Sequence, residues 1–275
     1  EYLIPSGITE FARDKTFGYT QSHLGKWIEE KSSGRYKAEK VRFVSLEWLR
    51  NRELDKIAGT LLEMSGFDKL VVNALDYYDV EVFTLALLEA LKQGKNYIAR
   101  SAAALPKVLG GVPDRAYLSR SDLIDGTSPS GGLIIAGSHV KRTTEQLEEL
   151  KKCDDIEFIE FNQHLVLEPV KLKNEVNRVV AEAERFLSSE KTVAVYTRRD
   201  RLDLGDQNKE NELLISVQIS EAVTDIVRKL KVRPAYIIAK GGITSSDIGT
   251  KGLGVRKATV AGQISPGIPV WITGA

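Results

Sequence analysis

Two short runs in the second half of the sequence carry groups suited to holding phosphate. Leu133-Ile134-Ile135-Ala136 leads into Gly137-Ser138-His139-Val140-Lys141-Arg142-Thr143-Thr144, and Tyr236-Ile237-Ile238-Ala239 leads into Lys240-Gly241-Gly242-Ile243-Thr244-Ser245-Ser246-Asp247. In both, an apolar strand-like run ends in glycine, and hydroxyl residues stand where a helix would begin. Glycines let a ligand approach the backbone, free amides at a helix start point at an anion, and hydroxyls add donors. The same residues also satisfy tight turns and helix caps, so each junction taken alone has a purely structural reading as well. In one parallel sheet both turns would leave the carboxyl edge and face a single ligand. Neither run is the Gly-x-x-x-x-Gly-Lys-Ser/Thr phosphate loop or the Gly-x-Gly-x-x-Gly dinucleotide fingerprint, and Gly252-Leu253-Gly254 reads as a turn.

The first half offers a different chemistry. Arg100-Ser101 stands where a strand over 97–100 would give way to a helix over 101–109, placing a cation and a hydroxyl at a carboxyl edge where a small carboxylate docks. A helix cap with a surface ion pair is the alternative. Asn73, Asp76 and Asp79 follow the strand-like Leu70-Val71-Val72 at an analogous edge, where the two acids also suit a turn and an N-cap. His23, His139 and His164 share no metal-ligand spacing, so no protein-held metal site is expected. There is no Gly-x-Ser-x-Gly elbow for acyl transfer. The single cysteine, Cys153, has no partner for an internal disulfide and fits a reducing, cytoplasmic setting.

These residues need elements to position them. Val80, Phe83, Leu87, Leu88 and Leu91 recur at helical spacing and predict a helix over 79–92 stopped by Gly94. Further helices are expected over 22–31 behind a Ser22 cap, over 45–51 and over 53–65. Turn formers concentrate over 121–132 and predict a boundary. Beyond it, strands over 133–136, 156–160, 192–196 and 236–239 alternate with helices over 143–152, 172–187 and 212–230, with a polar loop over 198–211. The alternation predicts an α/β protein of two domains, each a mainly parallel sheet flanked by helices. In 275 residues, 42% are hydrophobic and 28% charged, which excludes a disordered tail, a coiled coil or a fibre. A net charge of +1 supplies no field for nucleic acid or an anionic membrane. No run reaches the ~20 apolar residues of a membrane span. A homo-oligomer is compatible with all of this.

In order along the chain, Ile4-Pro5-Ser6-Gly7-Ile8-Thr9-Glu10-Phe11-Ala12-Arg13-Asp14-Lys15-Thr16-Phe17-Gly18-Tyr19, Ser22-His23-Leu24, Glu29-Glu30-Lys31, Val72-Asn73-Ala74 with Asp76 and Asp79, the segment from Gly94-Lys95 to Ala102 centred on Arg100, Ala136-Gly137-Ser138 with Thr143 and Gln146, and Gly241-Gly242-Ile243-Thr244-Ser245 resemble the four-carbon acid sugar kinase family. The resemblance spans nearly the whole sequence. It implies an ATP-dependent kinase acting, with Mg2+ carried by the nucleotide, on the terminal hydroxyl of threonate, erythronate or 3-oxotetronate. Residues 1–125 would be the acid-sugar-binding domain, with Asn73, Arg100 and Ser101 on the substrate. Residues 126–275 would be the nucleotide-binding domain, with Ser138, Gly241, Gly242, Ile243, Thr244 and Ser245 on the nucleotide.

Two departures qualify the carry-over. Ile243 stands where the family has Glu or Asp, and Ser138-His139-Val140 where it has Ser-Cys-Ser, so base, metal or sugar preference is expected to differ unless Asp247 supplies the displaced carboxylate. The general base is left unassigned between Asp247 and, as the better candidate, a carboxylate of the family's opening segment. The family's opening Asp-Asp-x-Thr-Gly segment and closing glycine-rich segment are not in the sequence, which therefore reads as a fragment. A non-catalytic module binding a sugar acid or nucleotide is the alternative function; a dehydrogenase is disfavoured by the absent fingerprint.

Overall fold

The computed structural model describes residues 4–13, 17–124, 128–137, 141–200, 202 and 209–274. The chain divides into two compact units, Glu1–Asp114 and Arg115–Ala275.

In the first unit, two 3-10 turns (Ser6–Ile8 and Glu10–Arg13) precede α1 (Leu24–Lys31) and a third 3-10 turn, Ala38–Lys40. Then come β1 (Arg42–Val44), α2 (Leu46–Arg50), α3 (Leu54–Leu62), β2 (Leu70–Val72), α4 (Tyr77–Lys92) and α5 (Ala104–Leu109). β1 and β2 pair in parallel, with Val44 opposite Val72. Val82, Phe83, Ala86, Leu87 and Ala90 of α4 bury their apolar stripe against Ile57, Ala58 and Leu61 of α3, as the spacing of three and four dictates.

Local expectations fail where side chains find other partners. α1 begins after His23 without a side-chain cap, because the Ser22 hydroxyl accepts the Gly7 amide at 2.8 Å instead. The strand expected over 97–100 does not form. Tyr97 Oη donates to the Leu61 carbonyl at 2.9 Å and Lys95 Nζ to the Met64 carbonyl at 2.8 Å, so the segment is tied across the end of α3 rather than along a strand edge. α5 accordingly starts at Ala104, not at residue 101, with Pro106 in its first turn, where a missing N–H costs nothing.

The second unit opens with α6 (Arg120–Leu123) inside the expected turn region, because Ser119 and Asp122 form a capping box. β3 (Leu133–Ala136), α7 (Lys141–Leu150), β4 (Ile156–Phe161), a 3-10 turn (Gln163–Leu167), α8 (Pro169–Leu187), β5 (Thr192–Thr197), α9 (Lys209–Lys229), β6 (Ile237–Lys240) and α10 (Gly242–Asp247) follow. A π-type turn (Ile248–Gly252) leads to an antiparallel hairpin, β7 (Ala258–Ser265) and β8 (Ile268–Thr273), which the alternation of strand and helix did not announce.

The central sheet runs β4-β5-β3-β6, all parallel. Leu133, Ile135, Ile159, Phe161, Val193 and Val195 point to one face, where Val176, Val179 and Ala183 of α8 and Ala222, Val223 and Ile226 of α9 cover them. α7 lies on the other face, with Leu147 buried outside that cluster and Lys151 Nζ 5.3 Å above the Tyr196 ring. The connection from β3 to β4 steps one way across the sheet, and those from β4 to β5 and from β5 to β6 step back. Helices on opposite faces are what keep every crossover the same hand.

Candidate functional site

The strand order decides where a ligand can sit. From β3 the chain turns toward the α7 face, while from its neighbours β5 and β6 it turns toward the α8 and α9 face. Loops diverging from adjacent strands open a crevice at the carboxyl edge. β3 has such a crevice on each side.

On the β6 side, Ala136 stands opposite Lys240, so the turns at Gly137 and Gly241 begin level with each other. They touch: a Cβ on Gly137 would lie 2.9 Å from Thr244 Oγ1 and 3.4 Å from its Cγ2. Only a glycine lets the two loops approach this closely. Gly241 has φ +117°, a conformation closed to residues with a side chain, and it turns the chain from β6 into α10. Among the described residues nothing lies within 4 Å of where a Gly242 Cβ would be. Ser245 spends its amide on the Gly241 carbonyl at 2.9 Å, and its hydroxyl donates to the Gly242 carbonyl at 3.1 Å. The amides of Gly242, Ile243 and Thr244 occupy the first turn, where no intrahelical acceptor exists. Ile243 stands out into solvent, 75% exposed. Ser138, with His139 and Val140, lies outside the described residues.

Asp247 closes α10. Its Oδ1 lies 3.0 Å from Lys251 Nζ and its Oδ2 accepts from Ser220 Oγ at 2.9 Å. The Lys251 ammonium, helped by Ser220 and opposed by burial, holds this carboxyl below the usual aspartate range. It is an anion tied to two partners.

On the β5 side, the residues past the strand form a network that spacing gave no sign of. Gln163, buried after β4, accepts the Arg198 amide at 2.8 Å and donates Nε2 to the Arg198 carbonyl at 3.0 Å. His164 Nε2 meets the Asp200 carbonyl at 3.1 Å. Arg199, half-buried, turns back across the sheet edge and donates Nε and Nη2 to Thr144 Oγ1 in the first turn of α7, at 3.2 and 2.9 Å. His164 sits in the 3-10 turn that follows β4, which the Asn162 side chain caps by accepting the His164 amide at 3.2 Å.

In the first unit, Asn73 follows β2 exposed, its amide donating to the Val44 carbonyl at 3.0 Å. Beyond it, Asp76 and Asp79 form the capping box of α4, and Arg50 at the end of α2 binds both. Asp79 is fully buried. Its Oδ2 accepts the Leu75 and Asp76 amides at 2.8 and 3.3 Å and Arg50 Nη2 at 3.0 Å, while its Oδ1 faces Arg50 Nε at 2.5 Å, an ionic contact without hydrogen-bond alignment. Burial is the largest influence on this carboxyl and pushes it up, but the guanidinium and the two amides together outweigh it and leave it lowered. Arg100 does not end a strand. Its guanidinium lies 4.8 Å above the Trp27 ring of α1, a cation–π contact, and Ser101 is exposed beside it. Among the described residues no hydrogen bond joins Arg100 or Ser101 to Asn73.

Among the described residues no three His, Cys, Asp or Glu side chains gather to hold a metal ion, and no helix is long and apolar enough to cross a membrane.

A four-stranded parallel sheet with glycine turns meeting at a switch point in one unit, and a parallel strand pair packed with helices in the other, defines a two-domain α/β protein. Comparison with family models agrees with that class. Residues 133–275 match the model described as "Nucleotide-binding C-terminal domain", and residues 3–109 the model described as "Sugar-binding N-terminal domain". No curated protein matches the chain. The chain belongs to the family those models define and has the two-domain architecture of the four-carbon acid sugar kinases.

Proposed function

We propose that the protein is an ATP-dependent kinase that phosphorylates the terminal hydroxyl of a four-carbon sugar acid such as threonate, erythronate or 3-oxotetronate. The domain over 126–275 takes the nucleotide and the domain over 1–125 the acid sugar. The observation that carries this is the contact of Gly137 with Thr244 at a switch-point crevice, inside the region matched by the nucleotide-binding model.

Phosphoryl transfer asks a protein for positioning and neutralisation of developing charge more than for covalent chemistry. The open space at Gly242 and the positive φ of Gly241 fit a phosphate chain lying against the backbone. The first-turn amides of Gly242, Ile243 and Thr244 and the Thr244 hydroxyl then donate to phosphate oxygens, the Ser245 hydroxyl joins them once it turns from the Gly242 carbonyl, and Ser138 adds a contact. Mg2+ brought by the nucleotide would supply further charge neutralisation. Arg100, standing on Trp27, pairs with the sugar carboxylate, and Asn73 and Ser101 bond its hydroxyls. Asp247 is left as a buttress of α10, its carboxylate engaged by Lys251 and Ser220. The reading places the protein in the cytoplasm, with ATP at hand.

The test is ADP release by the full-length protein with D-threonate, D-erythronate and 3-oxotetronate. Turnover with one of them supports the kinase. A second reading, a module that binds nucleotide without catalysis, draws on Ile243 at the acidic position and on the engaged Asp247. A nucleotide-induced melting shift with no ADP release for any sugar acid would favour it.

A further inference from the structure

The loop at Gly241 offers amides, hydroxyls and, just before it, the ammonium of Lys240, whereas a nucleoside triphosphate is a polyanion that takes more than one cation. Lys251, the cation nearest in sequence beyond α10, is engaged by Asp247. A cation is present on the opposite flank of β3. Arg199 lies two residues past the end of β5, whose Tyr196 stands opposite Ala136 of β3. Its guanidinium reaches Thr144 of α7, on the face of the sheet opposite α8 and α9. Arg199 follows β5 and Thr144 belongs to the helix that follows β3, so the side chain spans from the carboxyl end of one strand to the helix after its neighbour. It is half-buried there, and burial draws its pKa down from the usual arginine value, as expected of a guanidinium removed from water. The fork geometry of such a group suits two oxygens of one phosphate.

We propose that Arg199 is a specificity residue of the nucleotide pocket: it binds the β- or γ-phosphate and so distinguishes nucleoside di- and triphosphates from the nucleoside. The assignment rests on the nucleotide-binding reading above. Thr144 holds the guanidinium in place across the crevice and hands it to the ligand.

Calorimetric titration of the full-length protein with ATP, ADP and adenosine tests it, comparing wild type with Arg199→Met, Arg199→Gln, Thr144→Val and Lys240→Met. Arg199→Met should weaken ATP and ADP by about tenfold to a hundredfold, the range of a lost hydrogen bond to a charged group, and leave adenosine unchanged. Thr144→Val should preserve most of the preference for ATP over adenosine. If Arg199→Met fails to fold, Arg199→Gln, which keeps a donor toward Thr144, decides by the same affinity ratio. An unchanged ratio, or an equal loss for ATP and adenosine, would make Arg199 only a tie between the β5 loop and α7. Loss of the ratio in Lys240→Met alone would move the role to the residue beside Gly241. Wild type binding none of the three would overturn the nucleotide reading itself, whereas an intact wild-type ratio that survives in the arginine variants overturns only this assignment.

Discussion

Gly137→Ala separates the chemistry of the two loops from their meeting. The added methyl carbon would sit 2.9 Å from Thr244 Oγ1, and ordinary contact needs about half an ångström more. The obstructing atom is the end of a side chain, so the strain is relieved by rotating Thr244 away from its present well, at roughly 0.5–1.5 kcal/mol. For a unit the size of Arg115–Ala275, a loss of about 1 kcal/mol lowers the melting temperature by about 2–4 °C. The functional effect should be larger. A displaced Thr244 hydroxyl forfeits a hydrogen bond to a charged phosphate, worth about 1.5–3 kcal/mol, or roughly tenfold to a hundredfold in nucleotide affinity. Differential scanning calorimetry and nucleotide titration on the same preparation give both numbers. Melting that falls as worked, with nucleotide affinity unchanged, would refute the idea that the loops share one ligand. Melting that does not fall would refute the contact.

Three further outcomes follow from local geometry. Gly131→Ala would place a methyl carbon 1.9 Å from the Lys191 carbonyl oxygen, a backbone atom that cannot rotate aside, so thermal melting should show a loss above about 3 kcal/mol in the second unit or no folded product. Thr197 Oγ1 is buried with no hydrogen-bond partner among the described residues, so Thr197→Val should be neutral or stabilise by up to about 1 kcal/mol in urea unfolding; a clear destabilisation would mean the hydroxyl has a partner. Asp79 has a lowered folded pKa, so the folded state binds fewer protons than the unfolded chain near its ordinary value of 3.8. Its contribution is therefore whole above that pH and disappears as pH falls through the lower folded value, and Asp79→Asn should flatten the acid limb of the first unit's stability curve.

Fold elements set by their own side chains were legible, and those set by distant partners were not. α4 followed from its apolar spacing, and its true start two residues earlier than residue 79 comes from Asp76 and Asp79 acting together as a capping box, where the sequence left turn and cap open. Tyr97 and Ile98 have strand propensity, but two side-chain bonds to the end of α3 override it. The turn formers over 121–132 concealed specific contacts. Gly131 is where the backbone of Lys191 passes, and Gly132 is where the Tyr236 ring lies, its carbons as close as 2.1 Å to a would-be Cβ. Adjacent glycines immediately before a strand were the available signal; two close approaches explain them better than a flexible link.

For the site, the chemistry of each glycine turn was local and readable, but which turns adjoin was not. Adjacency depends on strand order, and β4-β5-β3-β6 sets the first strand of the unit beside its last. That order brings Gly137 to Thr244 and, on its other side, puts β5 next to β3, so that a residue of an apparently featureless polar loop, Arg199, reaches the start of α7. Nothing in the spacing of residues 198–211 marks Arg199, because a guanidinium becomes a ligand group only through what stands across from it. On the proposed reading, loop composition carries the kind of ligand, a phosphate, while topology determines which loops hold it together. A variant that leaves every donor in place and alters only the distance between two loops therefore probes the part of the site that residue types alone could not specify, and Gly137 is the position where one carbon does so.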